Sequence, residues 1–410
     1  MPTLLQINSN LNSGGAGRIV EQIGKGALAS GWESYAAFGR LNNPSELKAI
    51  RIGNFSSVLI HGFKTLILDQ HGLGSSIATY LLIEKIKSIK PDVIHLHGLH
   101  GYYINVDILF SYLARTEIPV VWTMHDCWAI TGHCTFFSDI NCSKWEKECF
   151  ECPKKRNYPS SLIVDRSKRN FQMKKLLFSS VKNLTVVSVS EWLNQIMQRS
   201  FLKNADFRVI LNGVDIGCFR PESQSINNLR NKLGIGNKHM LLGVATSWGE
   251  RKGWKDYMKL SEILPDTCVI VMVGLSNRQI KMLPPEIIGI QRTESLQELR
   301  DYYTTADVIL NLSYMESFGL TTVEGFACGT PSIVYNSTAS PELMNNETGL
   351  IVEPGNISQL ADAVNQIIEK GKEYYKVNCR KRAETKFNKE DKIKEYQRLY
   401  SELINRNIHK

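Results

Sequence analysis

Two glutamates, Glu316 and Glu324, stand at the start of a predicted helix with seven residues between them. Ser-Phe-Gly follows the first glutamate, and Gly-Thr-Pro follows the second by a few residues. A carboxylate accepts bidentate hydrogen bonds, so each side chain could bind vicinal hydroxyls of a ribose or a hexose. Their spacing does not stack them on one helix face, which suits two different parts of one extended ligand. Either glutamate alone would also fit a structural role, because acidic side chains near a helix start are stabilised by the helix dipole.

Two adjacent cations could bind a diphosphate. Arg251 and Lys252 follow the apolar segment 240–246 and precede a glycine. Cationic side chains and the unpaired amides of a helix start both stabilise phosphate oxygens. A surface turn would explain the two cations equally well if they stood alone. The amides that could face a phosphate or a sugar hydroxyl at the predicted helix start are those of Phe318, Gly319 and Leu320.

A glycine-rich turn, 14–17, lies between the first apolar segment and an apolar-periodic helix. Glycine lets a backbone approach a phosphate closely, and the helix start offers free amides. The turn does not match the G-x-G-x-x-G dinucleotide fingerprint. The geometry of a tight turn would account for the same glycines.

Histidines lie at the ends of two successive predicted strands. His125 and Asp126 end the second of these strands, where polar side chains of a parallel sheet are placed for chemistry. His95 and His97 belong to the first strand, and we expect both to be hydrogen-bonded packing residues. A metal is disfavoured here because H-E-x-x-H is absent and no carboxylate lies between His95 and His100.

Five of the nine cysteines fall in the loop 127–152. In a reducing compartment, clustered thiols bind zinc more often than they form disulfides. Four of them would make a closed structural zinc site without a catalytic role. Their irregular spacing leaves free thiols as an equal alternative. The predicted ligands are Cys134, Cys142, Cys149 and Cys152.

The elements that must position these residues are short apolar segments that alternate with helix-length segments. This pattern is typical of parallel sheets covered by helices on both faces. The sequence therefore predicts an α/β protein with two Rossmann-like doubly wound domains, formed by 1–210 and 211–385, and a helix at 386–410 that returns to the first domain. The predicted strands are 3–8, 34–38, 92–97, 119–124, 184–189, 207–213, 240–246, 267–274, 287–292, 307–313 and 331–336, and the tail 357–407 is predicted to be helical.

Composition and charge narrow the class of protein. The 410 residues are 43% hydrophobic and 22% charged, as in ordinary globular proteins. No run of eighteen apolar residues occurs, and the start lacks the features of a signal peptide, so we expect a cytoplasmic protein. The net charge is +9, with a basic region at 153–182. This region predicts either a solvated helix face or a patch for an anionic membrane surface, whereas no nucleic-acid motif accompanies it.

The residues quoted above resemble a known family. Glu316 and Glu324 form the E-x7-E motif of the GT-B retaining glycosyltransferases of family 4, and the whole string 301–334 is similar to that family. The segments 212–221 and 348–356 and the first glycine-rich loop also match. The histidine strings and the cysteine loop look like those of bacterial enzymes that assemble exopolysaccharide, colanic acid or O-antigen.

The resemblance implies two Rossmann-like domains facing across a cleft and a nucleoside-diphosphate sugar as the donor. It implies that Glu324 holds the ribose, that Glu316 holds donor-sugar hydroxyls, and that Lys252 binds the diphosphate. The implied acceptor is a glycan or a lipid-linked oligosaccharide, at the inner face of the membrane. The remaining implied contacts are His125 at the sugar, the amides of Phe318, Gly319 and Leu320 at the sugar or diphosphate, and Gly15 and Ala16 at the phosphates.

One position departs from the family pattern. The family usually has an arginine five residues before the lysine, and here that residue is Ser247. Arg251 is the candidate for the second cation. GT-B enzymes rely on protein cations in place of a bound metal, so no catalytic cofactor is expected, and no Asp-x-Asp occurs in the chain.

Two other functions compete with this interpretation. A sugar-nucleotide epimerase or hydrolase could use the same fold, although the E-x7-E string argues against it. A zinc-containing nucleic-acid-binding protein would fit the charge and the cysteines but not the strand-end loops.

Overall fold

The computed structural model describes residues 1–408, which form two compact units. Unit 1 consists of Met1–Leu211 and the chain from Lys392 onward, and unit 2 is Asn212–Asp391. Each unit is built on one wholly parallel sheet with helices between most successive strands. The predicted α/β class with two doubly wound domains is confirmed.

The seven-stranded sheet of unit 1 has the order β3-β2-β1-β4-β5-β6-β7. Its central strands are buried along their whole length, as expected for near-continuous apolar runs covered on both faces. The strands are β1 (Thr3–Asn8), β2 (Glu33–Phe38), β3 (Lys48–Arg51), β4 (Val93–Leu96), β5 (Val120–Met124), β6 (Leu184–Ser188) and β7 (Asp206–Val209).

The helices between these strands pack on both faces of the sheet. Several begin with a capping side chain, such as Asn54, Asn105 and Ser190, which accepts a hydrogen bond from the first turn. Short 3₁₀ turns occur at Trp128–Ile130 and Ser138–Ile140. The helices are α1 (Gly14–Ala29), α2 (Phe55–Leu68), α3 (Ser76–Ile89), α4 (Val106–Leu113), α5 (Lys144–Lys147), α6 (Ser167–Phe178) and α7 (Glu191–Arg199).

The six-stranded sheet of unit 2 has the order β10-β9-β8-β11-β12-β13. Its strands are β8 (His239–Val244), β9 (Cys268–Val273), β10 (Ile287–Ile290), β11 (Val308–Asn311), β12 (Ser332–Tyr335) and β13 (Gly349–Val352). Its helices are α8 (Ser223–Leu233), α9 (Trp254–Ser261), α10 (Asn277–Ile280), α11 (Leu296–Thr305), α12 (Leu320–Ala327), α13 (Ser340–Leu343), α14 (Ile357–Lys370) and α15 (Lys372–Lys386).

The last helix, α16 (Lys389–Ile408), completes the core of unit 1. Four of its buried side chains join one apolar cluster with residues of β1, α1, β4, β5 and β6; they are Tyr396, Leu399, Tyr400 and Leu403. The helical prediction for the tail is confirmed.

All eleven predicted strands are present, and β3 and β13 were missed. Strand β3 is a four-residue strand at the sheet edge with mostly exposed side chains, so no apolar run marks it. Strand β13 is also short and lies at the edge of its sheet. Edge strands keep one side in solvent and need no continuous apolar sequence.

Candidate functional site

The chain order reverses at one point in each sheet, and the candidate residues collect there. In unit 1 the reversal lies between β1 and β4, and in unit 2 it lies between β8 and β11. Open α/β sheets bind ligands outside the carboxyl ends of strands at such a switch point. The loops after β8 and β11 carry Lys252 and Glu316, and α1, which follows β1, carries Gly15 in its first turn.

A largely buried ion pair joins the two loops of unit 2. The ammonium of Lys252 donates a short hydrogen bond to a carboxylate oxygen of Glu316. The two side chains are only 16% and 12% exposed. Burial raises the pKa of Glu316, but the nearby Lys252 and Arg251 outweigh it, so the pKa of this carboxyl lies below its ordinary value. The structure thus favours the ionised form of the Glu316 carboxyl at the end of β11.

A glycine brings Lys252 to this position. Lys252 ends a 3₁₀ turn, Glu250–Lys252, and Gly253 follows with a φ of 70°. A β-carbon at Gly253 would lie 2.3 Å from the carbonyl oxygen of Leu312. The lysine-bearing turn can therefore lie directly against the end of β11 only because residue 253 has no side chain.

Arg251 is tied to the same loop by two backbone hydrogen bonds. Its guanidinium donates to the carbonyl oxygen of Met315 at 2.9 Å, and its own carbonyl oxygen accepts from the amide of Tyr314 at 2.9 Å. The guanidinium is near enough to lower the pKa of Glu316. Arg251 thus supplies a second cation beside Lys252, although the family arginine is absent at Ser247.

The helix α12 begins directly after Glu316-Ser317-Phe318-Gly319. Gly319 caps it with a φ of 108°, and a β-carbon there would lie 3.0 Å from a methyl carbon of Leu343. The ring of Phe318 is buried against Phe387, which fixes the backbone before the first turn. The first amides of a helix have no acceptors within it, so this turn can bind an anion or hydroxyl through its backbone.

Glu324 is buried in the second turn of α12. The hydroxyl of Tyr303 on α11 donates to its carboxylate at 2.7 Å. Thr338 supports the other glutamate, because its hydroxyl accepts a hydrogen bond from the amide of Glu316 at 2.8 Å. Sequence reasoning missed Tyr303 and Thr338. No motif marks them, since a partner distant in sequence is found only once the strands are placed.

In unit 1, His125 follows β5 and lies half-buried beside His97. Their rings are stacked with centroids 5.5 Å apart, and the two imidazoles share a hydrogen bond of 3.2 Å. Burial lowers the pKa of His125 to about 4, although Asp126 opposes the shift. Asp126 pairs with His100 at 2.6 Å. His125 is therefore a neutral imidazole at pH 7, able to donate or accept a hydrogen bond.

The predicted packing roles of His95 and His97 are confirmed. His95 hydrogen-bonds the hydroxyls of Tyr400 at 2.7 Å and Thr123 at 2.8 Å. His97 contacts Gln6 at 3.2 Å on its other side. Burial holds the pKa of both histidines well below its ordinary value.

Gly15 and Ala16 lie in the first turn of α1, next to the histidine loop. Asn8 joins the two loops, because its side chain donates to the carbonyl oxygen of Asn10 at 2.7 Å and accepts from the amide of Gly98 at 3.0 Å. The phosphate candidates and the histidine strand ends of unit 1 therefore lie at one edge of its sheet.

The predicted zinc site needs a correction. All four cysteines line one small cavity, and burial keeps the pKa of Cys149 raised to about 11. The thiols of Cys134 and Cys152 are hydrogen-bonded to each other, which raises the pKa of the first and lowers that of the second. No group of three or more ligating side chains in residues 1–408 is arranged to hold a metal ion. Spacing along the chain placed Cys134, Cys142, Cys149 and Cys152 in one region but did not orient their thiols.

The basic region 153–182 is not one exposed face. Lys174 is 1% exposed, and its ammonium donates to the carbonyl oxygens of Trp128 at 2.7 Å and Thr131 at 3.0 Å. Desolvation lowers its pKa to about 7. A substitution of Lys174 would therefore perturb the core of unit 1 and would not report on the charge of its surface. Among the described helices, none has the length and apolar content to cross a membrane.

Comparison with known proteins identifies the family. Residues 13–217 match Glycosyltransferase Family 4, and residues 225–386 match Glycosyl transferases group 1. WcaC of Escherichia coli (strain K12), provisionally assigned as a colanic acid biosynthesis glycosyl transferase, is 22% identical over 386 residues, or 87% of this chain and 89% of WcaC. A D-inositol 3-phosphate glycosyltransferase of Corynebacterium jeikeium (strain K411) is 25% identical over 69% of this chain and 65% of its own length.

Solved structures share the fold at low identity. Sucrose-phosphate synthase from Thermosynechococcus elongatus has a TM-score of 0.74 at 18% identity, with 99% of this chain and 100% of that chain covered. HepE of Anabaena in complex with UDP-glucose has a TM-score of 0.68 at 15% identity, covering 98% and 99%. WaaG, a glycosyltransferase involved in lipopolysaccharide biosynthesis, has a TM-score of 0.66 at 14% identity, covering 95% and 98%. The chain belongs to glycosyltransferase family 4 and is a glycosyltransferase of the GT-B fold.

Proposed function

We propose that this glycosyltransferase transfers a sugar, with retention, from a nucleoside-diphosphate sugar to a hydroxyl of a glycan or lipid-linked oligosaccharide. We place the reaction in the synthesis of bacterial surface polysaccharide. The provisional role of WcaC and the involvement of WaaG in lipopolysaccharide biosynthesis support this biological setting. Neither the epimerase or hydrolase alternative nor a zinc-containing nucleic-acid-binding protein gains support from any of the matches.

The observation that carries the proposal is the buried Lys252–Glu316 pair at the start of α12. A buried ion pair is costly unless both charges are used or fully satisfied. A nucleotide sugar would use both, since the ammonium can bind the diphosphate and the carboxylate can bind sugar hydroxyls. In the absence of a donor, the two side chains neutralise each other. A bound donor would replace this contact, because Lys252 would then pair with the diphosphate and Glu316 with the sugar hydroxyls.

Catalysis in this proposal stabilises the leaving group. As the anomeric bond breaks, negative charge grows on the diphosphate, and Lys252 and Arg251 neutralise it in a site of low water content. The acceptor hydroxyl attacks from the same face, and the leaving phosphate takes its proton. No side chain is assigned as a covalent nucleophile. Protein cations take the role that a metal has in other transferases.

The remaining residues bind and orient the donor. Glu324, held by Tyr303, would accept hydrogen bonds from the two ribose hydroxyls. The amides of Phe318, Gly319 and Leu320 would contact the diphosphate or the sugar. In unit 1 we assign Gly15 and Ala16 to the phosphates and the neutral imidazole of His125 to a sugar hydroxyl.

A thermal-shift titration with UDP, GDP, ADP, dTDP and CMP tests donor binding. The structures of HepE hold UDP or UDP-glucose, which makes UDP the first nucleotide to try. At 100 times its Kd, one nucleotide should raise the Tm by roughly 5–10 °C. The shift should disappear in Glu324→Ala and persist in Glu347→Ala, an exposed glutamate of the same unit.

The stereochemistry has its own test. Proton NMR of the product formed from the donor so identified should show the same anomeric configuration as the donor. Inversion at that carbon would refute the retaining mechanism, and the absence of a shift with every nucleotide would refute the donor assignment.

A further inference from the structure

Helix α2 has its polar and apolar faces reversed. Its buried residues are His61 and Thr65, whereas its large apolar side chains point to solvent. Globular helices usually bury their apolar stripe, because exposed apolar area costs free energy. The exposed side chains of α2 are Phe55 at 71%, Leu59 at 56%, Ile60 at 60%, Phe63 at 63% and Leu68 at 40%.

Polar contacts fix this orientation. The imidazole of His61 contacts the hydroxyl of Ser75 at 3.0 Å. Its other nitrogen accepts from the amides of Gly72 at 3.2 Å and Gly74 at 3.1 Å. Burial lowers the pKa of His61 to about 4, which keeps the ring neutral and able to accept. Rotation of α2 to bury its apolar side would break all three contacts and leave His61 in solvent.

Helix α3, whose start lies close to that of α2, carries a second exposed apolar stripe. On α3, Ile77, Tyr80 and Leu81 are exposed at 78%, 60% and 64%, a spacing that places them on one side of the helix. Gly53 lies between the starts of the two helices, because a β-carbon there would touch both Ser57 of α2 and Ala78 of α3.

The chain around Leu162 extends the exposed apolar area of α2. The amide of Leu162 donates to the carbonyl oxygen of Leu66 at 2.8 Å, and the amide of Val164 donates to that of Ile67 at 3.3 Å. Leu162 and Ile163 are 56% and 66% exposed. We call the exposed apolar side chains of α2, of α3 and of residues 162–163 the outer apolar face.

The elements that carry the outer apolar face also carry cations. Lys64 lies on α2, Lys85 lies on α3, and the ammonium of Lys155 donates to the carbonyl oxygen of Ile163 at 3.3 Å. Arg156 follows Lys155 and is exposed. The acidic Glu84 on α3 is paired with Lys87 at 2.7 Å. The rim of the outer apolar face therefore carries a net positive charge.

We propose that the outer apolar face binds an anionic lipid bilayer, with its aromatic and aliphatic side chains among the headgroups. Contiguous exposed apolar side chains mark interaction surfaces. An apolar face with a basic rim fits a membrane interface, where lysines meet anionic headgroups and phenylalanines and leucines enter the acyl boundary. The inner leaflet, the expected location of a lipid-linked acceptor, has this chemistry.

The charges favour a bilayer over a second copy of the chain. A two-fold contact would place the same surface on both partners, so the basic rims would meet. Like charges across an interface are unfavourable, whereas a basic rim complements anionic lipid. This surface also differs from the basic region 153–182. It includes only Leu162 and Ile163 of that region, with Lys155 and Arg156 nearby, and it excludes the buried Lys174.

Vesicle flotation tests the proposal. The wild type should float with vesicles of phosphatidylcholine mixed with phosphatidylglycerol and should bind pure phosphatidylcholine much less. Leu59→Glu/Phe63→Glu should reduce the floated fraction at least about tenfold, because it removes apolar contacts and adds repulsion. The matched control is Leu176→Glu on α6, which changes a 75% exposed leucine within the original basic region.

The readout separates membrane binding from donor binding. The wild-type Tm and nucleotide-induced shift of the double variant would show that it is folded, and flotation requires no nucleotide. Three results would overturn the proposal: a wild type that stays unbound, a double variant that floats like the wild type, or loss of flotation in Leu176→Glu alone. A wild-type dimer in light scattering that becomes a monomer in Leu59→Glu/Phe63→Glu would assign the face to a second copy instead.

Discussion

The two sheets carry different chemistry at equivalent edges. In unit 1, three imidazoles lie in or just after β4 and β5, and burial keeps the pKa of His95, His97 and His125 low enough for all to be neutral at pH 7. In unit 2, the loops after β8 and β11 hold the ion pair of Lys252 and Glu316. The same architecture thus presents three neutral imidazoles in unit 1, beside the Asp126–His100 pair, and a lysine–glutamate ion pair in unit 2.

The difference shows how one fold can divide the work of a transfer reaction. Fixed charge is useful where charge develops, at a leaving diphosphate. Neutral imidazoles suit hydroxyls, which they can bind without drawing a phosphate away from the cations. If the proposed function is right, substitutions of the ion pair in unit 2 should reduce activity far more than substitutions of the imidazoles in unit 1.

Removal of the ammonium should have the largest effect. Lys252→Ala leaves Glu316 buried without its partner and leaves the leaving group with one cation fewer. We expect kcat/KM to fall about 10²–10³-fold, the range typical of losing one transition-state donor. The measurement is the rate of nucleotide release from the donor whose nucleotide stabilises the protein.

Lys255→Ala is the matched control for this substitution. Its ammonium pairs with Glu250 at 2.7 Å and is 67% exposed, one turn beyond Lys252. It should retain wild-type kcat/KM. An equal loss in both variants would mean that general positive charge, and not the buried pair, supports the reaction.

Loss of the hydrogen bond from Tyr303 to Glu324 should have a moderate effect on nucleotide binding. Tyr303→Phe removes the hydroxyl that donates to this carboxylate at 2.7 Å while keeping the ring. A hydrogen bond to a charged group contributes about 1.5 kcal/mol, so nucleotide Kd should rise roughly tenfold in calorimetry. Tyr374→Phe, at a 57% exposed tyrosine, is the control. An unchanged Kd would separate Glu324 from nucleotide binding.

Burial of the His125 imidazole in unit 1 should make the stability of the protein depend on pH. The pKa of His125 is about 4 in the folded protein and 6.5 in the unfolded chain. The unfolded state therefore gains a proton first as pH falls, and the free energy of unfolding decreases between pH 6.5 and 4. The free energy of unfolding of His125→Gln, measured with urea, should fall roughly 2–3 kcal/mol less across this window than that of the wild type, because one pKa unit corresponds to about 1.4 kcal/mol.

His239→Gln is the control for the pH measurement, because this side chain is 40% exposed and lies outside the imidazole cluster. Its unfolding free energy should follow the wild-type curve. An identical curve for His125→Gln would mean that the pH dependence of stability does not come from the burial of that ring.

The sequence predicted the fold well because apolar periodicity directly encodes burial. Continuous valine- and isoleucine-rich runs belong to strands covered on both faces, and every one of them is a strand in the structure. The strand-end rule then placed Lys252, Glu316 and His125 at the edges where ligands bind. Lys252 and Glu316 are adjacent within unit 2 because β8 and β11 are neighbours in the sheet.

Features that depend on side-chain direction were not predictable. The burial of Lys174 requires knowledge that its ammonium reaches two backbone carbonyls far back in the chain. The thiols of the cysteine loop have no periodicity that orients them. The reversal of α2 was also hidden, because its sequence reads as an ordinary apolar helix until His61 is seen to be its buried contact.

The helix α16 sets the order in which the protein can mature on the ribosome. Unit 1 is interrupted after Leu211 and regains its last core residues only from Lys392 onward, about 180 residues later. At about 5–20 residues per second, the nascent sheet waits roughly 10–40 s for Tyr396 and Tyr400 to reach His95 and Thr123. During translation, the core of unit 1 stays incomplete until α16 is synthesised, so unit 2 can complete its folding first. The unit that is synthesised first is therefore the unit that is completed last.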